Sequence, residues 1–355
     1  TASFSRYNNL DPGAYVFKCK AIRTSDGVES DVLAYSFQID SPYYAKPWFY
    51  ICIIIGVGAV FYSFIYFREK QLKLINESLE RKVKFRTTQL NKEKKTVEKQ
   101  NELITKSISY AKRIQYSILP ENQLMKDFFD DHFIHYQPKD IVGGDFYWFR
   151  SFDDIAVIAA VDCTGHGVPG GFMSMMGSLL LDKIVQKNNL NTGTILAELN
   201  SEVIRVLRQK SEGSMQDGMD LSICLIDKAK GELHFSGARN GIYVLDDNNS
   251  KHYDADLIPV GGFHSKKSKE IERKYSQQKI SINKNDWVFM YTDGYVDQLG
   301  GSQMRSLGMN HFLEAIQESV SVKNKSREEV LKQKYDDWRK TIPQIDDVLV
   351  IGFKI

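Results

Sequence analysis

"AAVDCTGHGVPGGFMSMM", residues 159–176, is the stretch on which the reading of this chain turns. An apolar run ends in Asp162; Gly165, Gly167, Gly170 and Gly171 follow, and then a segment of helical character. The glycines suit a tight strand-to-helix turn, since glycine takes positive φ at no steric cost. Asp162 could be a turn or cap residue there. A phosphate-cradling loop is a poor match, because neither G-x-x-x-x-G-K-[ST] nor G-x-G-x-x-G is present.

Three other stretches repeat the pattern. Asp145 sits in "IVGGDFYWF" (141–149), at the start of a strand. Asp293 sits in "VFMYTDGYVDQ" (288–298), just after one, and Asp346 and Asp347 sit in "IPQIDDVLVIGF" (342–353), just before the last. Acids at the ends of different strands suggest convergence on one point. Carboxylates within about 4–6 Å of one another repel, so some would have to be protonated. Divalent cations remove that cost, and hard oxygen donors with no nearby His/Cys set select Mg²⁺ or Mn²⁺ over zinc. A pair of such ions can activate a water and clamp a phosphoryl group for in-line attack.

The surrounding segments read as a mixed domain over 121–355. Strands are expected at "HFIHYQP", "GDFYWFR", "IAVIAAVD", "MDLSICLID", "GELHFSG", "GIYVLDD", "QKISI", "DWVFMYTD" and "DVLVIGFKI". Helices are expected near 169–187, 194–210, 309–319 and 326–340. Strand runs broken by helix pairs indicate an α+β class and not a βαβ repeat.

The N-terminal part differs. "WFYICIIIGVGAVFYSFIYF", 48–67, is 20 residues without a charge, about the length that spans a hydrocarbon core in helical form. Aromatic residues crowd both ends, as at a membrane interface, and Arg68, Lys70 and Lys73 follow it against Lys46 alone before it. The positive-inside rule then places the C-terminal part in the cytoplasm. Forty-seven residues precede this segment, so it is not a cleavable signal peptide. Residues 1–40 read as β, "GAYVFKCKAI" and "VLAYSFQI" being separated by the turn-rich "RTSDGVES", and the domain they belong to is expected to end at 45. Residues 68–118 are charged, helical and free of proline, with Val83, Leu90, Val97, Ile104, Ala111 and Ile118 recurring every seven. That is one seam of a coiled coil. Its companion positions Arg86, Glu93, Gln100 and Ser107 are polar, so the coil is expected to be weak.

Bulk properties narrow the classes. The chain of 355 residues is 42% apolar and 26% charged, with a formal charge of +2, which gives no reason to expect a nucleic-acid partner. Cys19, Cys52, Cys163 and Cys224 are scattered without a C-x-x-C, which argues against a disulfide framework or structural zinc.

Residues 107–355 resemble the SpoIIE-like branch of the PPM family of metal-dependent protein serine/threonine phosphatases. The resemblance rests on "SYAKRIQYSILP", "PKDIVGGDFYWF", "AAVDCTGHGVPGGFMSMM", "GMDLSICLID", "HFSGARNGIYVL", "VFMYTDGYVDQLGG" and "IDDVLVI", in matching order and spacing. It implies an α/β-β/α sandwich of two antiparallel sheets with helices outside, and two Mn²⁺ or Mg²⁺ ions. By the same resemblance Asp162 bridges both ions with the Cys163 carbonyl beside it, Asp145 holds one largely through waters, Asp293 and Asp346 hold the other, and Asp347 supports them. His166 could serve as a general acid, although a turn histidine bonded locally is the plainer reading; Lys139 could touch the substrate phosphate or be a surface lysine. Met173, Met175 and Met176 are expected to pack a helix, and "GARNGIYVL" departs from the usual Gly-His-x-Pro. "LDPGAYVFKCKA…FQIDSPYYAKPWFY" resembles the end of the β-sandwich that joins a sensor β-propeller to the membrane in bacterial receptors.

Three other functions compete. "GGDF" invites a diguanylate cyclase, but Phe146 stands where that signature needs a glutamate. A histidine kinase fits the membrane-and-coil layout, yet 68–118 contain no histidine. A catalytically degenerate scaffold would not need the full set of acids. The expectation is a single-pass inner-membrane phosphatase, sensor outside and catalytic domain in the cytoplasm, dimeric through its coil. It would hydrolyse phosphoserine or phosphothreonine on a protein, by analogy an anti-sigma-factor antagonist, by a two-metal-activated water.

Overall fold

The computed structural model describes residues 6–187, 189–209, 216–246, 249–262, 273–322 and 324–355. It divides into two compact units, Thr1–Glu98 and Lys99–Ile355. In the first, β1 (Gly13–Cys19) and β2 (Leu33–Ile39) form an antiparallel hairpin, Gly13 opposite Ile39. Its apolar side chains, Leu33 and Tyr35 among them, are exposed. One helix, α1 (Pro47–Ser117), includes both the uncharged segment and the heptad segment. It is long and apolar enough over its first part to cross a membrane. Val83, Leu90 and Val97 are exposed along it.

In the second unit, α2 (Asn122–Phe128) leads into β3 (Asp131–Gln137), β4 (Phe146–Phe152) and β5 (Ile155–Cys163). Helices α3 (Gly167–Ile184) and α4 (Thr192–Val206) follow. Then come β6 (Gly218–Asp227), β7 (Glu232–Ala238), β8 (Ile242–Leu245), β9 (Ser250–Tyr253), β10 (Val260–Gly261), β11 (Gln278–Ser281) and β12 (Trp287–Tyr291). The chain ends through α5 (Asp293–Asp297), the short pair β13 (Leu299–Gly300) and β14 (Arg305–Ser306), α6 (Gly308–Ser321), α7 (Arg327–Arg339) and β15 (Val348–Lys354). Helix α7 opens on a full capping box: Ser326 accepts from the Glu329 N–H while the Glu329 carboxylate accepts from the Ser326 N–H.

The strands pair antiparallel into two sheets, β11-β7-β6-β5-β4 with β10 beside β6, and β3-β15-β12-β8-β9. Strand periodicity explains the layering, because alternate side chains point to opposite faces. On β5, Ala156, Ile158 and Ala160 enter the core between the sheets with Ile226, Met290, Leu349 and Ile351. Val157, Ala159 and Val161 turn the other way onto Leu181, Ile195 and Leu199 of α3 and α4. The second sheet does likewise, Phe289 and Val350 packing on Phe312, Ala315 and Tyr335 of α6 and α7. β5 is covered on both faces, which is why it reads as a continuous apolar run.

The expected strands and helices are present, with ends shifted by a few residues. At the end of α1 Ile114 is exposed and Gln115 is buried, while Ile108, Ala111 and Ile118 are half-buried.

Candidate metal centre

Strand parity carries the carboxylates to one end of the gap between the sheets. Asp162 continues the row Ala156, Ile158, Ala160, and Asp220 continues the row Ile226, Cys224 on β6; the two are register partners. From the other sheet, β12 ends at Tyr291 opposite Val350 of β15. Asp293, just past β12, and Asp346 and Asp347, just before β15, are thereby brought to the same end. A cavity of about 290 Å³ there is lined by Asp162, Asp220, Asp293 and Asp346.

Asp145 and Asp347 lie behind it, each 2% exposed. Asp145 Oδ2 accepts from the Thr292 hydroxyl at 2.6 Å, and the same hydroxyl oxygen accepts from the Leu349 N–H at 3.0 Å. Both Asp347 oxygens are committed to main chain, accepting from the Lys139 N–H at 2.6 Å and the Gly144 N–H at 2.6 Å. Asp347 therefore ties the loop that carries Asp145 to the start of β15. The Cys163 thiol is buried and pushed well above the usual thiol range by desolvation and by the acids, so it stays protonated and the backbone carbonyl is the donor left at this position. His166 precedes α3 and is engaged locally, Nδ1 at 2.7 Å from Asp140 Oδ2 and Nε2 at 3.0 Å from Lys139 Nζ.

Burial, then mutual repulsion, sets the electrostatics. Asp145 is held well above the usual carboxylate range by desolvation, against the Thr292 hydrogen bond, with Asp347, Asp293 and Asp346 pushing the same way. Asp162 is raised by desolvation and by Asp145, Asp293 and Asp346. Asp293 is raised likewise, although a hydrogen bond with Asp162 opposes the shift. Two carboxyl groups can hydrogen-bond only if one is protonated. Among the described residues no three His, Cys, Asp or Glu side chains surround one point at ligand distance. The donor set nonetheless fits two divalent cations. It is all oxygen, hard, and carries four negative charges when ionised, which such a pair would balance.

Glycine makes the close approach of the loops feasible. A Cβ on Gly144 would collide with the Gly165 carbonyl and come within 3.0 Å of the Cys163 carbonyl. Gly165 itself has φ +87°. Gly144→Ala is expected to destabilise the protein by about 1–3 kcal/mol, the usual cost of overpacking. A urea-denaturation midpoint unchanged from the parent would show that the loop can give way.

Sequence reasoning passed over three groups here. Asp220 obeys the same strand-end pattern and could have been found by it. Thr292 and Gln115 carry no such signal. Gln115 Nε2 donates to the Gly143 carbonyl at 2.6 Å and to Ser174 Oγ at 2.7 Å, and its Oε1 accepts from the Gly143 N–H at 3.3 Å.

The SiaA-PP2C domain of Pseudomonas aeruginosa is similar to this chain, with a TM-score of 0.65 and 26% identity over 72% of this chain and 98% of that one. The PP2C phosphatase domain with a regulatory fragment of SpoIIE from Bacillus subtilis matches at 18% identity and TM-score 0.49, over 63% of each chain. The RsbU and RsbW domains of a Mycobacterium tuberculosis protein match at 17% and 0.47, over 63% of this chain and 59% of that one. No curated protein matches. Two facing antiparallel sheets with helices outside, shared with the SiaA-PP2C domain, make this a PP2C-type domain, a metal-dependent protein serine/threonine phosphatase. The model for stage II sporulation protein E (SpoIIE) matches residues 153–355, and the chain belongs to that family.

Proposed function

We propose that this phosphatase hydrolyses phosphoserine or phosphothreonine on a regulatory phosphoprotein, with Asp145, Asp162, Asp293 and Asp346 and the Cys163 carbonyl holding two Mn²⁺ or Mg²⁺ ions. The observation that supports it is the gathering of four acids, far apart in the chain, around one gap between the sheets. Bound cations would supply charge neutralisation and activation of the attacking water. The residues themselves do the rest. Thr292 orients Asp145, Asp347 sets the loop in front of it, and the neighbouring carboxylates keep the site oxygen-rich and hard. Phosphate release from phenyl phosphate by the full chain in nanodiscs should depend on Mn²⁺; undiminished turnover in excess chelator would refute the reading.

The same proposal includes the layout. Residues 1–45 form the end of an extracytoplasmic β-sandwich, 48–67 span the inner membrane once, 68–118 signal as a coil and 121–355 act in the cytoplasm. The exposed heptad seam favours a second copy of the chain as its partner. An anti-sigma-factor antagonist is the first candidate substrate, by family analogy.

Gln115 is the physical link in this scheme. It lies at the end of α1 and grips both main-chain groups of Gly143, two residues before Asp145. Gln115→Ala leaves those buried groups unpaired, at about 1–3 kcal/mol. Turnover in nanodiscs is expected to fall about tenfold, equivalent to ~1.4 kcal/mol in the barrier, with Mn²⁺ affinity weakened as well. Parental values for both would show that Gln115 does not couple α1 to the loop that carries Asp145.

A further inference from the structure

The cavity that holds the acids presents an electrostatic difficulty for its own substrate. Asp162, Asp220, Asp293 and Asp346 line it, and a phosphomonoester arrives as a dianion. Two divalent cations would balance the four proposed ligand acids, and a phosphate dianion entering the cavity calls for a cationic donor besides them. Among the described residues lining the cavity, Arg239 is the one lysine or arginine.

Its placement is built rather than casual. Arg239 follows β7 and has φ +66°, in the left-handed region that few non-glycine residues occupy. Its N–H donates to the Asp256 carbonyl at 2.7 Å, and it bridges in parallel to Leu221. Asp256 is anchored in turn, its carboxylate accepting from the Ser276 N–H at 2.6 Å and facing the Ser276 hydroxyl at 3.1 Å. The side chain is 54% exposed, and Nη1 lies 3.2 Å from Asp220 Oδ2. Asp220 is the register partner of Asp162. The guanidinium thus stands next to the proposed metal ligands, turned toward the same space, on a backbone held in an uncommon conformation. Conformations of that kind gather at functional sites.

We propose that Arg239 is the clamp for the substrate phosphate, with Asp220 positioning it. This rests on the phosphatase reading above. The guanidinium fork matches two phosphate oxygens, which a point charge does not. On substrate entry Nη1 keeps its Asp220 partner, and the remaining guanidinium N–H groups donate to two oxygens of the phosphoserine or phosphothreonine group. No bond is made or broken at Arg239.

The test uses the full chain in nanodiscs with saturating Mn²⁺, as parent, Arg239→Ala, Arg239→Gly and Arg239→Lys. Glycine is included because it accepts φ +66° without strain, so that variant should fold even if alanine does not. Three quantities are read: the thermal shift caused by inorganic phosphate, KM and kcat for phenyl phosphate, and Mn²⁺ affinity by calorimetry. The clamp predicts that Ala and Gly weaken phosphate binding and raise KM by about 10- to 100-fold, as expected on losing a charge-assisted bidentate contact. Lys should restore only part, and Mn²⁺ affinity should stay within about twofold. Parental phosphate affinity and KM in either variant would overturn the proposal. So would a loss of Mn²⁺ affinity of about tenfold or more, which would make Arg239 a support for the acids. A parent without Mn²⁺-dependent turnover would refute the phosphatase reading, and the phosphate-induced thermal shift would still decide Arg239 by itself.

Discussion

Asp162→Asn is expected to reduce turnover of phenyl phosphate by about three orders of magnitude or more, equivalent to about 4 kcal/mol of lost transition-state stabilisation. The same variant, in chelator, should be more stable than the parent. Both effects have one cause. Asp162 is desolvated between the sheets, and Asp145, Asp293, Asp346 and Asp220 all raise its proton affinity. A charge placed there is costly unless cations occupy the gap. An amide of the same shape removes that cost and with it one proposed metal ligand. A gain of about 1–2 kcal/mol in the metal-free protein corresponds to roughly 2–8 °C for a domain of this size. Stability given up for function in this way is common at active sites. Scanning calorimetry in chelator, beside the Mn²⁺-dependent assay, reads both. Full activity in the variant would eliminate Asp162 as a ligand, and a lower melting point in chelator would contradict the electrostatic account.

The second large effect concerns pH and metal. Asp145, Asp162, Asp293 and Asp347 all have folded-state values above their ordinary ones, Asp293 pushed up to about 6 and desolvation leading in each case. The folded, metal-free protein therefore binds more protons than the unfolded chain once pH exceeds about 4, and its stability falls as pH rises. The contribution is fully present below the unfolded value and is lost through the folded one. Asp293 has lost it by about pH 6, whereas Asp162, pushed up to about 11, continues through neutrality. His135 has the opposite sign. Burial holds it down to about 4, so its stabilisation is lost as pH falls from about 6.5. Between about pH 7.5 and 8.5 His135 is essentially neutral in both states and the acids dominate. The melting point in chelator should decline across that range, with a slope of up to about 1.4 kcal/mol per pH unit for each acid still titrating. Mn²⁺ at a hundred times its dissociation constant should add about 2.7 kcal/mol and flatten or reverse the slope, since cations bind the ionised carboxylates. A melting point independent of pH and unmoved by Mn²⁺ would show that the acids neither repel one another nor hold a metal.

Much of this was legible along the chain. The alternation in "IAVIAAVD" and "MDLSICLID" marks strands whose alternate residues face different layers, and the runs are apolar because both faces are covered. The 71-residue helix α1 is written in the absence of proline beyond its first residue and in its uncharged and heptad segments. The four acids stood out because each borders an apolar run. Short elements such as α2, α5 and β9 were not foreseen: α2 and α5 are one or two turns long, and "SKHY" of β9 is polar and lacks the apolar residues that marked the other four-residue strands, β8 and β11. Gln115 was missed for a different reason. A glutamine between Ile114 and Tyr116 on a charged helix looks like a solvent-facing residue until the Gly143 loop arrives to meet both ends of its amide.

Local pattern alone settled the layers, the helix and the acidic character of the site, because period and charge are properties of residues and their near neighbours. Folding had to settle which acids meet. Asp162 faces Asp220 through strand register, Thr292 reaches Asp145 across 147 positions, and Arg239 comes to the cavity on a left-handed turn pinned by Asp256. Those meetings follow from sheet pairing and loop closure over long separations, which no window of adjacent residues encodes.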